Sequence, residues 1–177
     1  NYISKKKEKK IMNLNFGPRG ILQIDDAHIV YRNFAGVGDK YNREGDRNFA
    51  LVIPDEEIAD ALLADKNQYG VAWNVKIKPN REEGEPPFIT LPVKVKFNGR
   101  GPKVIVQSGS RTIKLNENTV GTIDQMDIES VDLDIRPYDD VVQDKPFRAA
   151  YLQSIWIRQR VDRFDERMAE EEFPEDE

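Results

Sequence analysis

Apolar and polar residues alternate along most of this chain with the period of two that marks β-strands. "ILQIDDAHIVYRNF" reads as one long strand whose alternation breaks at Asp25-Asp26, where a bulge is expected. "NFALVIP" is a second strand, stopped by Pro54. "VAWNVKIKP" and "ITLPVKVKF" alternate cleanly on either side of the turn-rich "NREEGEPP". "KVIVQ", "IESVDLDIRP" and "YLQSIWIRQRV" supply three further strand candidates. A helix is predicted at "DEEIADALLA", where Asp55 can cap the N-terminus and Ile58, Leu62 and Leu63 recur at helical spacing. Many short strands, one short helix and no internal repeat make the chain mainly β, a small barrel or sandwich.

The same period sorts side chains by face. Val71, Trp73, Val75 and Ile77 point one way, leaving Lys76 and Lys78 opposite; Leu91, Val93, Val95 and Phe97 point one way, leaving Lys94 and Lys96 opposite. If these two strands are neighbours, four lysines share one outer surface. In the last strand Ile155, Ile157 and Val161 read as core, and Trp156, Arg158 and Arg160 share the other face. An outward tryptophan beside two arginines is suited to stacking on a base and holding phosphate, although a large aromatic can equally be packed under a loop.

Between the first two strands lies "NFAGVGDKYNREGDRNF". Gly36 and Gly38 have no third glycine until Gly45, no lysine-serine pair follows, and no helix begins there, so a phosphate-cradling loop is not indicated. The stretch is a long hairpin connection carrying Lys40, Tyr41, Arg43 and Arg47 between Phe34 and Phe49. Such interleaving of cations and aromatics can close over a single strand of nucleic acid. The plainer alternative is a solvated hairpin with ion pairs among Asp39, Lys40, Arg43, Glu44 and Asp46.

Composition narrows the classes. A length of 177 residues suits one domain with tails, and no apolar run approaches the roughly 20 residues of a membrane span. No cysteine is present, which removes disulfides and thiolate metal sites and fits a reducing cytoplasm. The net charge of -5 is unevenly spread: residues 162–177 hold nine acids and two arginines, a net -7, whereas residues 5–10 hold five lysines and one glutamate, a net +4. About -2 is left for everything between, so overall acidity says little against nucleic acid as a ligand. "KKKEKK" is not followed by the apolar segment of a signal peptide, and Met12 is a candidate start that would make this leader an upstream extension. Residues 1–19 are expected to form a basic extension disordered in part, residues 20–161 the domain, and residues 162–177 an acidic tail.

Catalytic chemistry finds little footing. His28, the sole histidine, lies in a predicted strand, and no serine has a nucleophile-elbow context. Asp132, Asp134, Asp139 and Asp140 of "VDLDIRPYDD" are a candidate magnesium cluster for a nuclease, but alternating acids on a strand more often face solvent.

The runs "ILQIDDAHIVYRNFAGVGDKYNREGDRNFALVIPDEEIADALL", "WNVKIKP", "EEGEPPFITLPVKVKFNGRGPKV", "VDLDIRPYD" and "AYLQSIWI" resemble single-stranded DNA-binding proteins of tailed bacteriophages and prophages over residues 20–169. The resemblance implies a small oligonucleotide-binding (OB)-fold-like barrel with one short helix and extended hairpin loops. It also implies a protein that coats single-stranded DNA during phage replication or recombination. From the residues themselves a cytoplasmic protein without cofactor or catalytic activity is expected, and stacking with backbone contacts would give it little sequence preference. Bacterial proteins of this function carry acidic tails that recruit replication enzymes, and "DERMAEEEFPEDE" is similar, except that Phe173 is not terminal. Replication or recombination proteins are therefore possible partners, and a homo-oligomer is possible.

The resemblance assigns no binding residues. From the residues themselves the candidates are Phe34, Lys40, Tyr41, Arg43 and Arg47 of the loop, Lys76, Lys78, Lys94, Lys96 and Arg100 on or beside the lysine face, and Trp156, Arg158 and Arg160 of the last strand. Two other classes stay open: a phage inhibitor of a host enzyme whose acidic surface mimics DNA, and a magnesium-dependent nuclease.

Overall fold

The computed structural model of the chain describes residues 11–164 and 167. The expectations for residues 1–10 and for most of the acidic tail fall outside them. Ten strands follow the alternation: β1 Asn13–Phe16, β2 Leu22–Ala27, β3 Ile29–Asn33, β4 Arg47–Ile53, β5 Lys76–Lys78, β6 Phe88–Val95, β7 Lys103–Ser108, β8 Arg111–Leu115, β9 Ile128–Val142 and β10 Lys145–Gln159. An α-helix, α1 (Glu56–Ala64), lies between β4 and β5, and short 3-10 turns lie at Pro18–Gly20 and Val120–Gln125.

The long first strand is bent where the alternation fails. Asp26 takes a positive φ of 54°, the register with β9 slips between Ile24 and Ala27, and exposed His28 separates β2 from β3. This bend lets one continuous segment pair on two sides: β2 runs antiparallel to β9, and β3 antiparallel to β4. β4 pairs antiparallel with β6, β6 meets β10 in parallel, and β10 pairs antiparallel with β9. The circuit of β2–β3, β4, β6, β10 and β9 is that of a five-stranded, partly open OB-like barrel. It is not sealed by hydrogen bonds all round, because β6 and β10 share only the pair Tyr151 and Lys94.

Inward-facing residues on every barrel strand form one core, including Leu22, Ile24, Phe49, Leu51, Leu91, Val93, Leu133, Ile135, Ile155 and Ile157. The register sets them opposite each other, with Phe49 across from Val93 and Leu51 across from Leu91. Helix α1 forms as the sequence predicts. The Asp55 carboxylate accepts from the Ile58 amide at 2.8 Å, and Ala59 and Leu62 are buried. Such a cap contributes about 1 kcal/mol.

Four expectations change. Residues 71–75 are not strand: Trp73 is buried, but its indole donates to Asp65 at 2.8 Å and lies under the Arg148 guanidinium, so side-chain partners hold it rather than a sheet ladder. Ile77 is more than half exposed on a short strand that covers only the edge of β6, and Val161 lies past the end of β10, so neither belongs to the core. The ordered body begins before residue 20, because β1 pairs with β2 and Met12 is buried. Finally, β9 and β10 are each fifteen residues long and form a single hairpin turning at Gln143-Asp144, both at positive φ.

Candidate nucleic-acid interface

The outer side of β4 and β6 carries the lysines expected there. Lys76 stands opposite Thr90 and Lys78 opposite Phe88, while Lys94 stands opposite Asn48. Residues 88, 90, 92 and 94 share one face by strand period, so Lys76, Lys78 and Lys94 do too. None of the three is paired with a carboxylate of another described residue. Lys96 continues the row past the strand end, 4.0 Å from Asp46. Arg100 is exposed on the turn that follows and does not line the groove.

Beside this face runs an open groove of about 870 Å³. Its lining includes small side chains, Ala50, Pro92 and Ala149, with Asn48, Lys94, Lys96 and Arg47 along it and Tyr31 and Phe147 on its sides. Tyr31, at a bulge with φ 53°, is 69% exposed and meets the Phe88 ring edge-on at 6.4 Å between centroids. In an OB-like barrel the face of the second and third strands and the adjoining hairpin loops are where oligonucleotides lie. Here these are β4, β6, the 34–46 loop and the β9–β10 hairpin.

The 34–46 loop is a structured hairpin. The Gly45 amide donates to the Gly36 carbonyl at 2.8 Å, and a Cβ on Gly36 would meet the Gly45 backbone at 3.1 Å, so its glycines bring two backbones together. The Asn42 amide donates to Val37 and Asp46 carbonyls, and Asp39 accepts from the Tyr41 and Asn42 amides. One loop candidate loses its proposed part, and a second takes on a structural one besides. Phe34 is fully buried, stacked on Phe49 at 5.1 Å, and cannot reach a base. Arg47 donates to the Phe34 carbonyl and lies over Phe97, so it is first a clamp at the loop base, although it also lines the groove. Arg43 lies 3.9 Å from Asp46 on the surface, the internal ion pair that the plainer reading expects. Lys40 and Tyr41 remain exposed at the tip, the ammonium 5.6 Å from the ring centroid.

The Trp156 group lies elsewhere. The Trp156 indole donates to Gln107 at 3.1 Å and stands opposite Ile105 and Asp132, on the side of the barrel formed by β7, β10 and β9. Arg158 donates to both Asp132 oxygens, to Asp26 and to Ser130. The Asp132 hydrogen bonds raise its already high pKa. Burial, with Asp132 and Asp26 nearby, raises the pKa of Asp25 on the same side. Arg158 is thus spent on carboxylates, Arg160 is exposed at the strand end, and none of the three lines the groove.

The proposed magnesium cluster is divided as well. Asp132 belongs to Arg158, whereas Asp139 forms a two-pronged pair with Arg148, at 2.8 and 3.1 Å, and accepts from Asn67. The Arg148 hydrogen bond holds the Asp139 pKa below its ordinary 3.8. Arg148 also reaches Asp65, so one network ties the segment following α1 to the β9–β10 hairpin.

Two groove residues, Tyr31 and Phe147, and Tyr138 next to Phe147 escape the sequence reading. Tyr31 lies inside a predicted strand, where period two gives a bulged residue no definite face. Phe147 and Tyr138 lie in a stretch not recognised as the end of a hairpin.

No curated protein matches the sequence. Among solved structures, the chain is similar to the single-stranded DNA-binding protein from bacteriophage Enc34, at 18% identity, covering 90% of this chain and 96% of that one, with a TM-score of 0.53. It is similar also to that protein in complex with ssDNA, at 15% identity, 87% and 94% coverage and a TM-score of 0.53. A C-terminal truncation of it gives 15%, 87% and 94%, and 0.52. These similarities match the OB-like fold. The family model of the phage ssDNA-binding domain covers residues 14–177, nearly the whole chain, and the chain belongs to that family.

Proposed function

We propose that this chain coats single-stranded DNA without sequence preference, the strand lying along the groove beside β4 and β6. The observation that carries this reading is the row Lys76, Lys78 and Lys94, without an ion-pair partner among the described residues, next to a groove bordered by Tyr31 and Phe147, in a chain of the phage ssDNA-binding family. Cations that track phosphates supply affinity, aromatics stack on bases, and neither reads base edges. The protein acts by binding rather than catalysis, inside the bacterial host during phage replication or recombination. Its acidic C-terminal residues recruit replication or recombination proteins and compete with DNA for the basic face. Anisotropy titrations with single-stranded, duplex and RNA oligonucleotides at two salt concentrations test the reading. Single-strand affinity is expected to fall with salt at a log-log slope of about -0.7 for each phosphate contacted. Equal affinity for duplex, or a flat salt response, overturns it.

A further inference from the structure

The β9–β10 hairpin carries an aromatic ladder that the groove does not account for. Beyond Ile135 on β9 and Tyr151 on β10 no third strand among the described residues is paired with it, so it leaves the barrel as a two-stranded arm. Opposite residues fall on one side of the arm: Arg136 with Tyr151, Tyr138 with Ala149, and Phe147 with Asp140. The Arg136 guanidinium lies 4.9 Å from the Tyr151 centroid. Tyr151 stacks on Tyr138 at 5.1 Å and 8°, and Tyr138 meets Phe147 at 6.0 Å and 44°. On the other side of the arm, Asp139 and Arg148 are occupied by the network with Asn67 and Asp65. One side anchors the arm and the other is left to the ladder.

Three features go beyond what hairpin stability needs. Phe147, the last ring, also lines the groove, so ladder and groove are continuous. Lys94 stands opposite Tyr151, which places a cation where the two meet. Tyr138 is 38% exposed, and its hydroxyl donates to Asp140 at 3.1 Å, which fixes the ring while it faces water. A ring held in one orientation loses little entropy when a base stacks on it.

We infer that the ladder of Phe147, Tyr138, Tyr151 and Arg136 is an extension of the DNA track, a shelf on which unpaired bases leaving the groove stack. Phe147 takes the first base, the exposed side of Tyr138 the next, and Arg136 holds phosphate beyond them. The inference rests on the groove being the binding face, and the test separates the two.

Oligothymidylates of increasing length are titrated against the full chain and its Tyr138→Ala and Tyr138→Phe variants, with melting curves for each. Wild-type affinity should climb with length and then level off. Tyr138→Ala should match wild type on the shortest oligonucleotides, level off sooner, and bind the longest roughly tenfold more weakly. Tyr138→Phe, which keeps the ring and loses the Asp140 bond that orients it, should fall between the two on the longest oligonucleotides and closer to wild type. If the Tyr138→Ala series superimposes on wild type at every length, or falls by one factor at all lengths, the ladder is structural support only and the inference is wrong. If wild type binds no oligonucleotide, the groove reading fails first and takes the shelf with it.

Discussion

Lys94 on β6 and Arg158 on β10 look alike in sequence, each a cation between inward-facing neighbours on an alternating strand, yet they end in opposite conditions. Lys94 looks across at Asn48 and Tyr151 and is left without an acidic partner among the described residues. Arg158 looks across at Ser130, beside Asp132 and within reach of Asp26, and its donors are taken. The same contrast holds for aromatics: Tyr31 and Phe147 border a groove, while the Trp156 indole is bonded to Gln107. A strand's own pattern tells which way a side chain points. Whether it is free to bind depends on the strand beside it, which only the register supplies.

The sharpest way to break this comparison is charge reversal on both faces. Lys76→Glu with Lys94→Glu should weaken single-strand binding on the order of a hundredfold and flatten the salt slope by about 1.4, two contacts' worth, measured by anisotropy at several salt concentrations. Arg158→Met should leave affinity and slope unchanged while lowering stability by about 1–3 kcal/mol in urea melts, because Asp132 and Asp26 lose their shared partner. If Arg158→Met instead reduces the salt slope, the two faces are not as distinct as their partners suggest.

Trp156→Ala sharpens the aromatic half of the comparison. The side chain is half-buried, so its loss should cost about 2 kcal/mol, somewhat less than for a fully buried tryptophan, with affinity of the folded fraction unchanged. A normal melting temperature with weakened binding would return Trp156 to the DNA-contacting set.

The Arg148 network offers a pH test. Arg148 lowers the Asp139 pKa in the folded protein, so this pair's stabilisation is present above the ordinary value of 3.8 and is lost as pH falls through the lower, folded value. Asp25 works the other way, its raised pKa meaning that protonation relieves a cost of the fold. Melting temperature should therefore drop below about pH 4 in wild type and drop less over the same range in Asp139→Asn. Equal slopes would remove the pair from the stability account. A smaller effect is expected at the loop tip, where Tyr41 is 89% exposed: Tyr41→Ala should lower affinity by about 1 kcal/mol if the loop closes on DNA, and leave it unchanged otherwise.

Much of this architecture is written in local pattern. Strand period placed the β4 and β6 cores and the lysine face, Asp55 announced α1, and the failed alternation at Asp25-Asp26 marked the bend that lets one segment pair on both sides. The arm was not legible for a local reason. Two-residue hairpin turns favour Asn-Gly or Asp-Gly because both central residues need positive φ, and here Gln143-Asp144 adopt it without a glycine. Trp73 misled in another way, since its alternating neighbours suggested a strand, while Asp65 at the end of α1 and Arg148, distant in sequence, hold it in irregular chain. Phe34 reads as a binding candidate beside its loop cations, but its ring stacks on Phe49 and closes the barrel beneath the loop.

The central claim, that DNA lies on the β4–β6 side and not on the Trp156 side, is tested most directly by contact. Photo-crosslinking of the wild-type chain to bromodeoxyuridine-substituted single strands, with the adducts mapped by mass spectrometry, reads out touching side chains. The account predicts adducts at Tyr31, Phe88 and Phe147. Adducts concentrated at Trp156 and on β7, with the groove residues unmarked, would contradict it.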